Sequence, residues 1–247
     1  MRPVLVTIFG LPIPSYAVFV GLGIALAAAV RRREVARLGY DRTPGHAVIG
    51  FAALFGGLFG SKLGMALFVP PAELLRLGYA ALAFDFTGKT VVGGIAGGYL
   101  GVELAKKLVG VRHSTGDAFA VALPLAQGVG RIGCFLHGCC EGAVTSGPFG
   151  VAVASSPGDI ATRHPAQLYE AALDLGLAAW IWSVRARPRP SGHLFRTALV
   201  GYAAIRFALE PLRGDTGWHV GPFTAVQLAC ALAIVGFGAS LLRRRTD

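Results

Sequence analysis

The sequence predicts an all-α integral membrane protein with about seven transmembrane helices, and three observations carry that expectation. Of 247 residues, 54% are hydrophobic and only 15% are charged, against about 25% charged in a typical soluble domain. The mean hydropathy is +0.60, and several apolar runs approach the length of about 20 residues that crosses the hydrocarbon layer. The basic residues fall in short clusters between those runs. A net charge of +10 is therefore a product of membrane topology. No nucleic-acid partner is expected, since such a binder spreads Lys and Arg over one soluble face.

The first run covers residues 13–30 and ends at Arg31, Arg32 and Arg33. It is expected to stay as a membrane helix: Arg2 precedes it, but no small-residue cleavage site leads into a soluble mature domain. The second run, 47–69, stops at Pro70 and Pro71 and contains the small residues GGLFG that let helices approach closely. Residues 72–90 are mixed and read as lying along the interface. A glycine-rich third run, 91–104, ends at Lys106 and Lys107, and the fourth covers 117–136. After a polar connection over 138–165 come runs at 166–184, 194–209 and 223–242, the last closed by Arg243, Arg244 and Arg245.

Counting Lys and Arg sets the orientation. Fifteen fall in one set of loops and five in the other, with Lys62, Arg131 and Arg206 inside apolar runs. The positive-inside rule then places the N-terminus outside, the C-terminus in the cytoplasm and the 138–165 loop outside. The chain reads as one polytopic membrane domain over residues 1–247.

The candidate site centres on residues 130–142, GRIGCFLHGCCEG. An arginine in the hydrocarbon layer costs roughly 2.5–3.5 kcal/mol on insertion scales and faces a polar cavity, so Arg131 and Arg206 stand out. A guanidinium fork matches a phosphate such as a phospholipid headgroup. The plainer alternative is an internal ion pair, for example Arg206 with Glu210 one helical turn on. Tyr202, Arg206, Glu210 and Arg213 fall on one helical face by spacing. In HPAQLYE, His164 is expected at the outer interface with Gln167 and Glu170 just inside. His164 suits a base near neutral pH, or equally a helix cap.

Cys134, Cys139, Cys140 and His137 leave four readings open. A metal ion is disfavoured because the spacing matches no pair of CxxC type, so none is expected. A disulfide from Cys134 to Cys139 or Cys140 suits an oxidising outer face, and a thiolate beside Arg131 would be nucleophilic. The plainest reading is small residues at a helix interface. Cys230, alone in an apolar run, reads as a buried small hydrophobe.

These motifs resemble the prolipoprotein diacylglyceryl transferase family. GRIGCFLHGCCEG is similar to a family signature of the form GRxGNFxNxExxG, HPAQLYEA to HPxQLYEA, and YAAIRFALEPLRGD to YxxxRFxxExxR. The resemblance covers nearly the whole chain. It implies a bacterial inner-membrane enzyme that moves the diacylglyceryl group of phosphatidylglycerol to the lipobox cysteine thiol of a preprolipoprotein, without a cofactor. Arg131, Tyr202, Arg206, Tyr16 and Gly142 fall on family functional positions, and Glu210 and Arg213 on the headgroup helix. His137 and His164 are then candidate bases, with Cys134, Cys139, Glu141 and Gln167 as substrate contacts.

Some positions depart from the family pattern. Val92 stands where the family has a histidine before Gly-Gly, and Lys62 where it often has an arginine. Cys134, His137 and Cys139 replace the signature's two asparagines and its glutamate, with Glu141 two residues later. These departures leave two alternatives to the standard reaction. One is another acceptor or thiol chemistry, and the other is a phospholipid-binding protein without turnover.

Overall fold

Proline sets the first boundary. Pro12 and Pro14 lie in strand β2 (Leu11–Pro14), which pairs antiparallel with β1 (Val4–Ile8), and proline is tolerated at such an edge but not in a helix interior. Phe9 and Gly10, at φ 49° and 80°, make the two-residue turn between them. Helix α1 therefore begins at Ser15 (Ser15–Arg37) and not inside the apolar run that starts at residue 13.

The computed structural model describes residues 2–40, 45–64, 72, 90–156 and 159–243. Within them six further α-helices follow: α2 (His46–Leu63), α3 (Val91–Leu108), α4 (Ala122–His137), α5 (Ala166–Val184), α6 (His193–Leu209) and α7 (Ala225–Arg243). The stretch expected along the interface, 72–90, and the stop at Pro70 and Pro71 lie almost wholly outside the described residues. Four segments are long and apolar enough to cross a membrane: Ser15–Arg37, His46–Leu63, Gly116–His137 and Ala225–Leu242. The protein is thus a mostly helical membrane protein. Helices α3, α5 and α6, at 18, 19 and 17 residues, carry charged side chains that lower their hydropathy.

The chain forms two compact units. In one, Ala36–Ser114 with Thr216–Cys230, α2 packs along α3 through glycines. A Cβ on Gly97 would fall on the Gly56 carbonyl oxygen and lie 2.6 Å from the Gly60 Cα. Such backbone-to-backbone approach is the contact that small residues permit in membranes. Thr90 caps α3, its Oγ1 accepting from the Gly93 N–H at 3.1 Å. A short hairpin, β5 (His219–Val220) with β6 (Phe223–Thr224), leads into α7.

The other unit comprises Met1–Val35, Thr115–Asp215 and Ala231–Asp247. Here α4 packs on α5 and α5 on α6, around a core of Ala120, Val121, Ala178, Ile181, Leu194 and Ala198. Asp117, in a 3-10 turn ahead of α4, accepts from the Gly192 N–H at 2.7 Å and the Phe195 N–H at 3.0 Å. It thereby caps α6 from a distant part of the chain. The connection over 138–165 is not simply polar coil: it contains the antiparallel hairpin β3 (Val151–Ser156) and β4 (Asp159–Arg163).

Candidate phosphate and thiol site

All the polar groups singled out in 130–142, except as noted below, gather in this second unit. Its centre is Glu170 in the first turns of α5, 1% exposed. Its Oε2 pairs with Arg131 Nε at 3.0 Å and with Arg213 Nη1 at 3.4 Å. Its Oε1 accepts from Gln127 Nε2 at 3.0 Å. A buried carboxylate is tolerable only when its lone pairs are met in this way. Arg213 also donates through Nη2 to Asp215 Oδ2 at 2.7 Å.

Arg206 pairs with Glu210, so the internal ion pair suggested by the spacing is formed, with both residues buried. Tyr202 is 3% exposed and its hydroxyl has no partner among the described residues. The single helical face expected for Tyr202 through Arg213 is shorter than its spacing implies. Helix α6 ends at Leu209, Glu210–Leu212 is a 3-10 turn, and Arg213 is extended. Pro211 is the cause, because it has no N–H to continue the α-helical ladder.

Arg131 offers more than its ion pair. Glu170 engages Nε, which leaves the terminal Nη groups as the fork for a second anion. Both cations that flank Glu170 are therefore held by protein carboxylates.

The end of α4 folds back on itself. Gly138 adopts φ 82°, and the N–H groups of Gly138 and Cys139 both donate to the Cys134 carbonyl, at 3.0 and 3.1 Å. This is a glycine C-cap of the Schellman type. It brings Cys139 and Cys140 back to the level of Cys134, so the three Sγ atoms lie within 4.8 Å of one another. The expectation that spacing keeps these thiols from a shared ligand set is corrected by this cap. None of the four cysteines is joined in a disulfide. Hydrogen bonds with Cys134 and Cys139, then the Arg131 and Arg213 charges, pull the Cys140 thiol well below the usual range. Cys139 is pushed up by sharing the same hydrogen bonds.

Gln167 does not face the arginines: its Nε2 donates to the Cys139 carbonyl at 2.8 Å. The His137 ring lies 6.2 Å from the Tyr16 ring, with Nδ1 3.3 Å from the Pro3 carbonyl. His164 does not cap α5 with its side chain. Its ring stands 6.2 Å from that of Tyr169, and its Nδ1 is buried without a partner. Glu141 pairs with Arg163 at 3.6 Å and not with the arginine cluster. Gly142 bridges to Arg213, and a Cβ there would fall on the His164 carbonyl oxygen. Glycine is thus required where three chain segments meet. Val92, in the first turn of α3, and Lys62, in the last turn of α2, belong to the other unit.

Comparison with known proteins decides the family. The sequence model of the prolipoprotein diacylglyceryl transferase family matches residues 3–243. The chain belongs to the prolipoprotein diacylglyceryl transferase family. Among its relatives, the phosphatidylglycerol–prolipoprotein diacylglyceryl transferase of Clostridium tetani is 32% identical, over 95% of this chain and 94% of the relative. That of Chlorobaculum tepidum is 30% identical, over 95% and 86%. The second such enzyme of Clostridium perfringens is 30% identical, over 96% and 93%. The full-length match covers both units and takes in the arginine cluster and the thiols alike.

Three site residues escape the motif-based reading: Gln127, Asp174 and Asp215. Asp174 is fully buried on α5, one turn beyond Glu170, and neither of its carboxylate oxygens has a partner. The signal was present, since an acidic residue inside an apolar run is as costly as Arg131 or Arg206.

Proposed function

We propose that this chain transfers the diacylglyceryl group of phosphatidylglycerol to the cysteine thiol of a prolipoprotein at the bacterial inner membrane. The match to the family over residues 3–243 carries the reading, and the arginine cluster gives it a mechanism. The Nη groups of Arg131, with Arg206 and the unpartnered Tyr202 hydroxyl, bind the lipid phosphate. The acceptor sulfur attacks the glyceryl carbon next to the phosphate ester. An S–C bond forms as the C–O bond breaks, and the electron pair leaves on the phosphate oxygen of glycerol phosphate. Arginines already fixed by Glu170 and Glu210 stabilise that developing charge without reorganising. The thiol proton passes to a base, for which His137 and His164 stand. With Nδ1 of His137 donating to the Pro3 carbonyl, its Nε2 is the basic nitrogen. Tyr16, Cys134, Cys139, Glu141, Gly142, Gln167, Glu210 and Arg213 shape the binding surface around these groups.

In this reading all seven α-helices cross the membrane as one polytopic domain, with the N-terminus outside. The loop at 138–165, which carries Cys139, Cys140 and His164, then faces the side where lipoprotein precursors emerge. The test is complementation of a bacterium depleted of its own diacylglyceryl transferase, with mass spectrometry of a reporter lipoprotein. Rescue with a diacylglyceryl-modified cysteine is expected, and Arg131→Ala and Arg206→Ala should each abolish it. Full rescue by both variants would refute the phosphate assignment. Failure of the folded, membrane-inserted wild type would favour another acceptor or thiol chemistry, or a non-catalytic lipid-binding role, the alternatives that Val92 in place of the family histidine leaves open.

A further inference from the structure

Three thiols meet at the C-terminal end of α4. Cys134 lies in the last turn of α4, and the glycine cap at Gly138 returns Cys139 and Cys140 to it. Neighbouring residues in extended chain point to opposite sides. Cys140 instead adopts φ 59°, one of two non-glycine residues with positive φ among the described residues. That conformation is uncommon for a residue with a Cβ and persists where the surroundings impose it. Its effect is to bring the Sγ of Cys140 to 3.8 Å from that of Cys139. Gln167 fixes the same turn from α5 by donating to the Cys139 carbonyl at 2.8 Å.

A metal–sulfur bond of about 2.3 Å in a tetrahedral shell separates two thiolates by about 3.8 Å. Cys139 and Cys140 already stand at that separation, and Cys134 needs only a small side-chain shift, since no sulfur is beyond 4.8 Å from another. Cys139 and Cys140 are half-buried and open the cluster toward solvent, while Cys134 closes it from the helix. The Arg131 and Arg213 charges act on this cluster and offset the negative charge of three thiolates. Three protein ligands and a fourth open position are the arrangement of a reactive zinc site, whereas a structural site closes all four.

We propose that Cys134, Cys139 and Cys140 bind one thiophilic divalent ion, zinc in chemistry, and leave a fourth coordination position for an external thiol. The second half of this inference rests on the transfer reading above, in which the acceptor is a thiol; the first half does not. A thiol that coordinates zinc loses its proton outright, here to the base for which His137 and His164 stand, and is presented as a thiolate beside Arg131. Its sulfur then forms the bond to the glyceryl carbon while the carbon–phosphate oxygen bond breaks, and the alkylated sulfur, a thioether and a poorer ligand, leaves the ion.

Cobalt(II) is the probe, added to the detergent-purified full chain prepared under reductant and then freed of it. One equivalent should produce sulfur-to-cobalt charge-transfer absorption, displaced by one equivalent of zinc. Zinc should slow alkylation of Cys134, Cys139 and Cys140 in the wild type at least 10-fold without slowing that of Cys230. Cys134→Ser, Cys139→Ser and Cys140→Ser should each lose the charge-transfer band, and Cys230→Ser should keep it. A cysteine-containing lipobox peptide should shift the band, and its serine counterpart should not. Absence of the band with unprotected cysteines overturns the site, as does recovery of a disulfide among the three thiols from membranes lysed without reductant. A band that the cysteine peptide leaves unchanged overturns the open position. Failed complementation with the cobalt spectrum intact would refute the transfer reading and leave the metal site standing.

Discussion

Replacing Glu170 by glutamine should destabilise the protein far more than the same change at an exposed carboxylate. Glu170 faces two guanidinium groups, at 3.0 and 3.4 Å, and is 1% exposed. At an effective dielectric constant of about 20, each contact attracts by about 5 kcal/mol before desolvation is subtracted. The desolvation cost of the carboxylate and the mutual repulsion of Arg131 and Arg213 reduce that gain. Removing one partner of a buried pair nevertheless costs about 3–5 kcal/mol, because the other charge stays buried and uncompensated. For a chain of this size that corresponds to a fall of about 6–20 °C in Tm. Glu103→Gln is the matched control: its carboxylate also meets a cation at 3.0 Å, Lys106, but is 40% exposed. It should cost under about 1 kcal/mol. Thermal unfolding in one detergent, followed by circular dichroism, compares the two directly. Equal Tm values for the two variants would refute the claim that Glu170 organises the site.

Gly142→Ala should cost about 1–3 kcal/mol and disturb the Gly142–Arg213 bridge, since its Cβ meets backbone oxygens that cannot move cheaply. Gly130→Ala, whose Cβ would meet nothing within 4 Å, should be neutral or stabilising by up to about 1 kcal/mol; thermal unfolding that ranks the two the other way would discount the crowding argument. Asp117→Ala removes both acceptors at the start of α6 and should cost about 1–2 kcal/mol, read by chemical denaturation. An unchanged midpoint would show that water replaces the carboxylate. Gly97→Val should force α2 and α3 apart, whereas Gly57→Ala, with its nearest atom at 3.5 Å, should be tolerated. Protease sensitivity of the two variants separates them, and equal resistance would contradict the close packing.

Helix positions were legible because hydrophobic runs bounded by basic residues leave little choice, and each of the seven α-helices among the described residues overlaps one such run. The short strands were not. Residues 4–14 carry Thr7 as their one polar side chain, so they merge with the first membrane run until Pro12 and Pro14 are weighed as helix breakers. The β3–β4 hairpin lies in a connection whose Ser and Asp content reads as coil. Arg213 was assigned to a helix face by counting, when Pro211 two residues earlier already argued against it. The approach of the three thiols is not legible from CxxC-type spacing, although a glycine directly after His137 is the common signature of a cap that turns the chain back. Glu170 was noted beside Gln167, yet its role as the shared partner of Arg131 and Arg213 depends on how α5 packs against α4. No local pattern encodes that.

The arrangement of charge bears on how such a site can bind a phosphate. Arg131, Arg206 and Arg213 are matched by Glu170, Glu210 and Asp215, with Asp174 unpartnered close by. The cluster therefore does not attract a headgroup through a large excess of positive charge. Its contribution is orientation: each carboxylate takes one edge of a guanidinium and fixes the direction of the remaining N–H groups. A phosphate that meets the Nη fork of Arg131 gains two directed hydrogen bonds without ordering the side chain first. Binding is weaker than three unpaired arginines would give, and the donors are already in place when negative charge builds on the leaving oxygen. Interactions that strengthen in the transition state raise turnover, whereas tight ground-state binding does not. In the proposed reaction, an arginine cluster neutralised by its own carboxylates is accordingly better suited to releasing a glycerol phosphate than to storing a lipid.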